Sequence, residues 1–243
     1  MTHRFFVAGD TLAPEQCRQI ATVLRLAPGA VVTLVRDGLE LDYRLDRVGR
    51  DEVIGTVVAR RPAAGEPRVA LTLGLPLLRG DRSEEVIEAA SQLGVSRFAP
   101  YASTRSVVRT LSAEKRERWR RIGREAAETA RRGRVPTIDE ARDWPALLAA
   151  LPGPLVVAWE EERKRALEAT LEVLAQPPDV SLAAAPGPFA VLSLVVGPEG
   201  GLTEDEVALA RERGGLTVSL GRRVLRAETA AIAAVARVVA ALD

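Results

Sequence analysis

The chain of 243 residues is 47% hydrophobic and 28% charged, with a formal net charge of +1 at pH 7. These values are typical of a globular protein with one large domain or two smaller ones. Because Cys17 and His3 are the only cysteine and histidine, an intrachain disulfide and a thiolate metal cluster are excluded, and a histidine-based nucleophile is nearly excluded. No apolar run approaches the roughly 18–20 residues that span a bilayer, and the N-terminus lacks signal-peptide features, so we expect a cytoplasmic protein without membrane association.

Residues 1–67 are predicted to form a small, β-rich domain. Short apolar runs are separated by turn residues, and Asp37-Gly38 between two such runs is a strong signal for a β-hairpin. Several short strands with one helix favour a small barrel, and the Pro- and Gly-containing segment 62–67 is the predicted linker. The predicted strands are 4–7, 30–36, 39–47 and 53–61, and the predicted helix is 14–25.

Residues 68–243 alternate between strand and helix patterns, which indicates a parallel sheet with helices on both faces. The predicted fold class is therefore α/β, and periodicity alone predicts an ordinary doubly wound sheet. Ligands bind such sheets outside the carboxyl ends of the strands. The predicted strands are 68–75, 96–101, 155–159, 190–196 and 216–220, the predicted helices are 81–93, 112–132 (with Ser112 as N-cap), 203–213 and 227–242, and residues 176–188 are a predicted loop.

Two glycine turns follow strands near the C-terminus. The first is Gly197-Pro198-Glu199-Gly200-Gly201, and the second is Ser219-Leu220-Gly221. Glycines let backbone N–H and C=O groups approach a ligand closely, although most glycines in such turns only end a strand or cap a helix. Side by side, the two turns predict a cleft lined by backbone groups. A dinucleotide and a methyl donor are equally compatible with this pattern alone.

Positive charge is concentrated in residues 105–134. This segment has ten arginines and Lys115 against four glutamates, a net charge of +7 in a chain whose total is +1. One interpretation is a solvated helix with ion pairs four residues apart, namely Glu114/Arg118, Glu117/Arg121 and Glu128/Arg132. The excess of positive charge favours instead a face that binds phosphates. The arginines expected on this face are Arg105, Arg109, Arg120, Arg124, Arg132 and Arg134.

Six stretches occur in a fixed order along the chain. They are Val23-Leu24-Arg25-Leu26 with Gly29; Leu75-Pro76 and Gly80-Asp81 leading to Ala89-Ala90-Ser91-Gln92-Leu93-Gly94-Val95; Arg105-Ser106-Val107-Val108; Trp119-Arg120-Arg121-Ile122 with Glu125-Ala126-Ala127-Glu128, Arg132 and Arg134-Val135-Pro136; Gly197 to Gly201; and Ser219-Leu220-Gly221 with Leu225-Arg226 and Glu228-Thr229-Ala230. Together they resemble the bacterial RsmE-type family, which methylates N3 of a uridine in small-subunit (16S) ribosomal RNA and belongs to the SPOUT superfamily of knotted methyltransferases. The chain departs from the family pattern at Thr129-Ala130-Arg131, Ala227 and the position near Gln19, and all three departures lie outside the glycine turns.

The resemblance implies a two-domain methyltransferase. Residues 1–67 would form a PUA-like RNA-binding barrel, and residues 68–243 a SPOUT domain tied in a deep trefoil knot. The implied methyl donor is S-adenosylmethionine, whose sulfonium supplies the electrophile, so no metal is expected. The implied partners are ribosomal RNA, within an assembled or assembling small subunit, and a second copy of the chain, with the active site at the homodimer interface.

The resemblance also assigns candidate site residues. The expected RNA contacts include Arg4 and Arg25 in addition to the basic segment. Thr229 could contact the ligand or only cap its helix. The expected cofactor contacts are Trp159, Gly197, Pro198, Glu199, Gly200, Gly201, Ser219, Leu220, Gly221, Leu225, Arg226 and Thr229.

Arg226 and Glu199 are the predicted catalytic residues. Removing the N3 proton of uridine spreads negative charge onto O2 and O4, and the guanidinium of Arg226 suits that charge. Arg226 could instead grip a phosphate of the flipped nucleotide or pair with Glu228 or Glu199. Glu199 is the nearest carboxylate that could act as base, provided that burial raises its pKa. Alternatives to this activity are methylation of a ribose 2′-OH or a tRNA base, and RNA binding without catalysis.

Overall fold

The fold is of the α/β class and contains two separate β-sheets. The computed structural model describes residues 3–9, 11–36, 38–175 and 190–243. Contacts divide the chain into two units, each of which is described by itself. Unit 1 comprises Met1–Glu66 and Ala127–Val135, and unit 2 comprises Pro67–Ala126 and Pro136–Asp243.

Unit 1 contains a four-stranded sheet with the strand order β1-β2-β3-β4. β1 pairs parallel to β2, whereas β2 with β3 and β3 with β4 form antiparallel pairs. The buried core between this sheet and the first helix includes Phe5, Cys17 and Ile20, as their apolar character predicts. The strands are β1 (Arg4–Phe6), β2 (Val31–Arg36), β3 (Leu39–Val48) and β4 (Val53–Pro62).

Two predictions for unit 1 need correction. The predicted helix 14–25 is α-helical only over α1 (Pro14–Arg18), continues as a π-helical turn at Gln19–Val23 and ends before Arg25, whose φ of 50° is left-handed. The predicted barrel is an open sheet, because no pairing joins β4 to β1 among the described residues. A strand of three residues offers too short an edge to close a sheet against one of ten. The hairpin after β2 is formed, although Asp37 lies outside the described residues.

Unit 2 contains a seven-stranded sheet in which every recorded pairing of named strands is parallel, as predicted. Its order is β11-β9-β10-β5-β6-β7, and β8 also pairs with β6. The strands are β5 (Val69–Pro76), β6 (Arg97–Ala102), β7 (Thr137–Ile138), β8 (Arg142–Asp143), β9 (Leu155–Ala158), β10 (Ala190–Val196) and β11 (Leu216–Val218).

Helices cover both faces of this sheet. Alternate residues of β10 point to opposite faces, so Leu194 joins one core cluster with the buried sides of α2, α5 and α7, whereas Val195 joins another with α4 and α6. The helices are α2 (Arg82–Leu93), α3 (Ala113–Thr129), α4 (Trp144–Ala150), α5 (Leu167–Leu174), α6 (Glu204–Glu212) and α7 (Ala227–Leu242). In the described ranges, no helix has the length and apolarity that crossing a bilayer requires.

Sequence patterns locate most of these elements but not all. The Oγ of Ser112 accepts a hydrogen bond from the N–H of Lys115 at 3.1 Å, which confirms the predicted cap, yet α3 ends at Thr129 rather than at residue 132. The sequence prediction omits β7, β8, α4 and α5. The two strands have two residues each, too few to show alternation. The predicted loop at 176–188 lies outside the described residues.

The sheet order places three strand ends together. β9 lies between β11 and β10, and all three run in the same direction. Their carboxyl ends, at Val218, Ala158 and Val196, therefore lie along one edge of the sheet. The loops that follow these strands must converge at that edge.

Candidate active site

A cavity of about 500 Å³ opens at the carboxyl edge of the unit 2 sheet. The loops after β9, β10 and β11 form its walls, and the apolar residues Ala158, Val196, Ala227 and Ala230 lie among its lining. Both predicted glycine turns contribute to it. We call this space the edge cavity.

The loop after β10 supplies a wall of mostly bare backbone. Gly197, Pro198, Glu199 and Gly201 line the edge cavity. Gly201 has a φ of 70°, which favours glycine, and a Cβ there would push the Oε1 of Glu160 aside. The N–H of Gly201 donates to the carbonyl oxygen of Pro198 at 2.9 Å, which closes a tight turn.

Gly200 does not line the edge cavity, in contrast to the sequence prediction. A Cβ at Gly200 would lie 2.9 Å from the Cβ of Arg105 and 3.0 Å from its carbonyl oxygen. The guanidinium of Arg105 also donates to the carbonyl oxygen of Gly200 at 3.2 Å. The missing side chain at Gly200 therefore makes room for the Arg105 backbone rather than for a ligand.

Glu199 is already engaged by neighbouring groups. Its Oε1 accepts a hydrogen bond from the N–H of Arg79 at 3.0 Å and lies 3.5 Å from Nη1 of Arg82. These contacts tie the Gly197–Gly201 turn to the loop before α2. They favour an anchoring role for Glu199 over the predicted role as base.

The loop after β11 forms the second predicted wall. Ser219, Leu220 and Gly221 line the edge cavity, and the hydroxyl of Ser219 accepts from the N–H of Gly221 at 3.2 Å. Leu225, half-buried, and Arg226, exposed, also line it. Thr229 is exposed and does not line the edge cavity, so the structure does not place it where a ligand in this cavity would contact it.

The loop after β9 forms the third wall. Trp159 is partly buried, with the guanidinium carbon of Arg211 5.3 Å from its ring centroid. Its Nε1 is buried and has no hydrogen-bond partner among the described residues. Trp159 therefore carries a buried donor without a partner among the described residues, on a residue that lines the edge cavity.

Glu162 holds this third loop in place. Its carboxylate accepts from the hydroxyl of Thr217 at 2.7 Å and from the N–H groups of Lys164 at 2.8 Å and Arg165 at 3.3 Å. The hydrogen bond from Thr217, helped by these N–H groups, lowers the pKa of Glu162 from 4.5 to about 2. The loop is thus fixed to β11 by an ionised side chain.

The edge cavity is rich in charge that the sequence prediction mostly omitted. Arg82 lies beside Glu199 and also has its Nε 3.8 Å from the Oε1 of Glu228. The Oε2 of Glu228 is buried and has no hydrogen-bond partner among the described residues. The charged lining residues are Arg82, Arg163, Arg222, Arg223 and Arg226, with Glu160, Glu199 and Glu228.

Sequence signals for the omitted residues existed but were not specific. Arg222 and Arg223 follow Gly221 directly, and Glu228 lies within a stretch that carries the family resemblance. Arg82 follows the Gly80-Asp81 motif. None of these positions has a residue type that distinguishes a ligand contact from a solvated charge.

Two predicted RNA-binding arginines are instead internal to unit 1. Arg4 pairs with Glu40 at 2.6 Å and donates to the carbonyl oxygen of Arg132 at 2.6 Å, with 9% of its side chain exposed. Arg132 pairs with Glu66 at 2.8 Å and is 1% exposed. Buried, paired guanidiniums are not free to contact phosphates, so the predicted RNA contacts at Arg4 and Arg132 are corrected to structural roles.

The other predicted arginines are exposed. Arg109 donates to the carbonyl oxygen of Thr104 at 2.8 Å. Glu117 pairs with Arg120 at 3.1 Å, the residue before its predicted partner Arg121. Arg118 pairs with Glu84 instead of Glu114. The exposed set comprises Arg25, Arg105, Arg109, Arg120, Arg124 and Arg134.

Comparison with known proteins gives consistent matches. The model of a family described as RNA methyltransferase domain matches residues 65–239. Ribosomal RNA small subunit methyltransferase E of Bacillus subtilis (strain 168) is 32% identical over 235 residues, covering 94% of this chain and 88% of that protein. The protein of the same name from Mycobacterium bovis is 34% identical, covering 90% and 81%. The crystal structure of the Neisseria gonorrhoeae protein of that name, bound to S-adenosyl methionine, superposes with a TM-score of 0.79 at 26% identity, covering 98% of this chain and 96% of that one.

Proposed function

The chain belongs to the RNA methyltransferase family, and we propose that it transfers the methyl group of S-adenosylmethionine to N3 of a uridine in 16S ribosomal RNA. The observation that carries this proposal is the edge cavity, where the two glycine turns of unit 2 meet three carboxylates and five arginines. Such a combination suits a ligand with a cationic centre and a substrate with anionic phosphates.

The edge cavity fits S-adenosylmethionine. Its volume of about 500 Å³ is within the roughly 300–1,000 Å³ typical of small-molecule sites. Leu220 and Leu225 offer apolar surface for an adenine ring, and the bare backbone at Gly197 and Gly201 allows close approach of its edges. When bound, the donor supplies a methyl group made electrophilic by the sulfonium.

Arg226 is the proposed stabiliser of the uridine anion. It precedes α7 as the N-cap residue, is exposed, and has no recorded side-chain hydrogen bond or ion pair among the described residues. Its predicted pairing with Glu199 or Glu228 is not recorded, since Arg82 contacts both carboxylates. A free guanidinium at the cavity rim can therefore face the O2 or O4 of an incoming base.

The cofactor contacts follow the walls of the edge cavity. We assign Trp159, Gly197, Pro198, Gly201, Ser219, Leu220, Gly221 and Leu225 to donor binding. Gly200 contributes indirectly, because its missing side chain leaves room for the Arg105 backbone. Glu199 contributes by holding the turn against Arg79 and Arg82. Alignment of donor and acceptor by a fixed wall supplies much of the rate enhancement in transfers of this kind.

We further propose the domain roles and assembly that the family resemblance implies. Residues 1–67 would act as a PUA-like RNA-binding domain and residues 68–243 as a SPOUT domain with a deep trefoil knot. The proposed knot rests on the family resemblance, and the parallel pairing of β9 with β10 and β11 is compatible with it. The active protein would be a cytoplasmic homodimer that acts on the small subunit, with exposed arginines of the partner subunit completing the site.

Mass analysis of modified RNA tests this function. Small ribosomal subunits that lack the modification would be incubated with the protein and S-adenosylmethionine, and the RNA then digested to nucleosides. We expect 3-methyluridine at one position. A 2′-O-methyl nucleoside, or modification of tRNA alone, would show that the acceptor is another atom or another RNA. Absence of S-adenosylmethionine binding in calorimetry would show that the protein binds RNA without catalysing methyl transfer.

A further inference from the structure

Glu228 is a carboxylate of the edge cavity with a hydrogen-bond acceptor that no group in the described part of the chain uses. It is the second residue of α7, and 12% of its side chain is exposed. Its Oε1 lies 3.8 Å from Nε of Arg82, beyond hydrogen-bond distance. Its Oε2 is buried and has no hydrogen-bond partner among the described residues.

The neighbouring carboxylates do not share this property. Glu199 accepts from the backbone of Arg79, and Glu162 accepts from Thr217 and two backbone N–H groups. An ionised carboxylate has about four acceptor positions, and leaving a buried one unused is unfavourable. A ligand that brings an N–H to Oε2 would satisfy it.

We infer that Glu228 is the group that accepts the N3 proton of the uridine. This inference rests on the proposed function. Uridine N3 carries a hydrogen that must leave before or during transfer, and Glu228, whose Oε2 is an unused acceptor, lines the edge cavity where the base must meet the donor.

The step balances without a further reactant. The N3 proton moves to Oε2 of Glu228, the nitrogen electron pair forms the bond to the methyl carbon, and the carbon–sulfur bond breaks with its pair remaining on sulfur. Arg82 keeps a positive charge beside Oε1 of Glu228. The acid then returns its proton to solvent when the product leaves.

Other charged groups surround Glu228. Arg82 belongs to α2, which packs against α7, and Glu199 follows β10. The remaining walls contribute Glu160 and Arg163 after β9, and Arg222, Arg223 and Arg226 after β11. Arginines outnumber carboxylates in this set.

Glu228→Gln tests the inference, because it keeps the shape and removes the base. We expect the single-turnover rate to fall by about 10²–10⁴-fold, while donor affinity in calorimetry is unchanged. The acidic limb of the wild-type pH–rate profile should disappear, and rising pH should restore part of the rate because N3 then ionises unaided. The thermal unfolding midpoint of the free protein should stay equal or rise, because an unsatisfied buried charge is removed.

Three results would overturn the inference. An equal loss of donor affinity and rate would make Glu228 a ligand for the ammonium of the donor. A lowered unfolding midpoint with an unchanged rate would show that Glu228 has a structural role. Full activity with an unchanged pH profile would show that water, not Glu228, accepts the N3 proton. Asp205→Asn is the matched control, because Asp205 is also the second residue of its helix, is exposed and is not part of the edge cavity. Inactive wild-type protein would contradict the proposed function itself, whereas active wild type with active Glu228→Gln contradicts only this inference.

Discussion

The phenolic oxygen of Tyr101 donates a hydrogen bond of 2.6 Å to the carbonyl oxygen of Val196. Tyr101 lies on β6 and Val196 ends β10, so the bond passes over the end of β5, which separates these strands. Burial raises the pKa of Tyr101 well above its usual value, so the hydroxyl remains a donor. The bond fixes the last carbonyl before the Gly197 turn.

Tyr101→Phe should destabilise the protein and weaken donor binding. The carbonyl of Val196 would lose its buried partner, which costs about 1–3 kcal/mol. The free energy of unfolding measured in urea should fall by that amount, and calorimetry should show weaker binding of S-adenosylmethionine. Tyr43→Phe, the same change at the other tyrosine, which is in unit 1, is the control. Equal donor affinity in wild type and Tyr101→Phe would show that the Tyr101 hydroxyl does not position the Gly197 turn for donor binding.

Gly201→Ala should reduce donor affinity specifically. Its Cβ would displace the carboxylate of Glu160 from the edge cavity, in addition to the strain of a positive φ. Gly214→Ala is the matched control, since Gly214 has a φ of 80° and open space around it. Both variants should lose about 1–2 kcal/mol of stability, but only Gly201→Ala should bind the donor more weakly in calorimetry. Similar affinities for the two variants would contradict the wall assignment.

Local sequence signals were sufficient for the walls of the site but not for its charged lining. The runs that end at Val196 and Val218 are mostly apolar and are followed within three residues by glycine, so strand and turn follow from neighbouring residues. The contact of Arg82 with Glu228 depends instead on the packing of α2 beside α7. No periodic pattern encodes which charges on two distant helices meet.

The same limit explains the corrected arginines. Arg4 is separated from Glu40 by 36 positions, and Arg132 from Glu66 by 66 positions. A sequence shows the excess of positive charge in a segment, but not which guanidiniums are neutralised by distant carboxylates. The barrel prediction was wrong for a related reason, because sheet closure depends on pairing between the first and last strands.

The pH dependence of stability should include a contribution from Glu162. Its pKa in the folded protein is about 2 rather than 4.5, so its stabilising contribution is complete above about pH 4.5 and is lost as the pH falls toward 2. Glu162→Gln should therefore lower the free energy of unfolding at neutral pH and flatten its decline between these pH values. Glu161→Gln, at the exposed neighbour, is the control for a lost charge. Parallel stability curves for wild type and Glu162→Gln would contradict the lowered pKa.

Arg226→Ala should reduce turnover far more than donor affinity. If its guanidinium stabilises charge that develops only in the reaction, removing it costs about 10²–10³ in kcat, as for other donors of this kind. Calorimetry with S-adenosylmethionine should give nearly the wild-type affinity. Arg213→Ala is the control, because Arg213 is exposed at the end of α6 and does not line the edge cavity. Equal losses in kcat and affinity would make Arg226 a cofactor residue.

The exposed arginines of unit 2 should set the salt dependence of RNA binding. Arg109, Arg120 and Arg124 are exposed, and each phosphate contact that is lost should reduce the slope of log K against log salt by about 1. The triple alanine variant should therefore bind ribosomal RNA more weakly at low salt, with a slope smaller by about 2–3, if most of these residues contact phosphates. Donor affinity and thermal stability should be unchanged, since the three side chains are not part of the edge cavity. An unchanged slope in fluorescence titrations would show that the +7 charge of residues 105–134 keeps the helix solvated and does not contact phosphates. The RNA contacts would then be assigned to the arginines at the cavity rim.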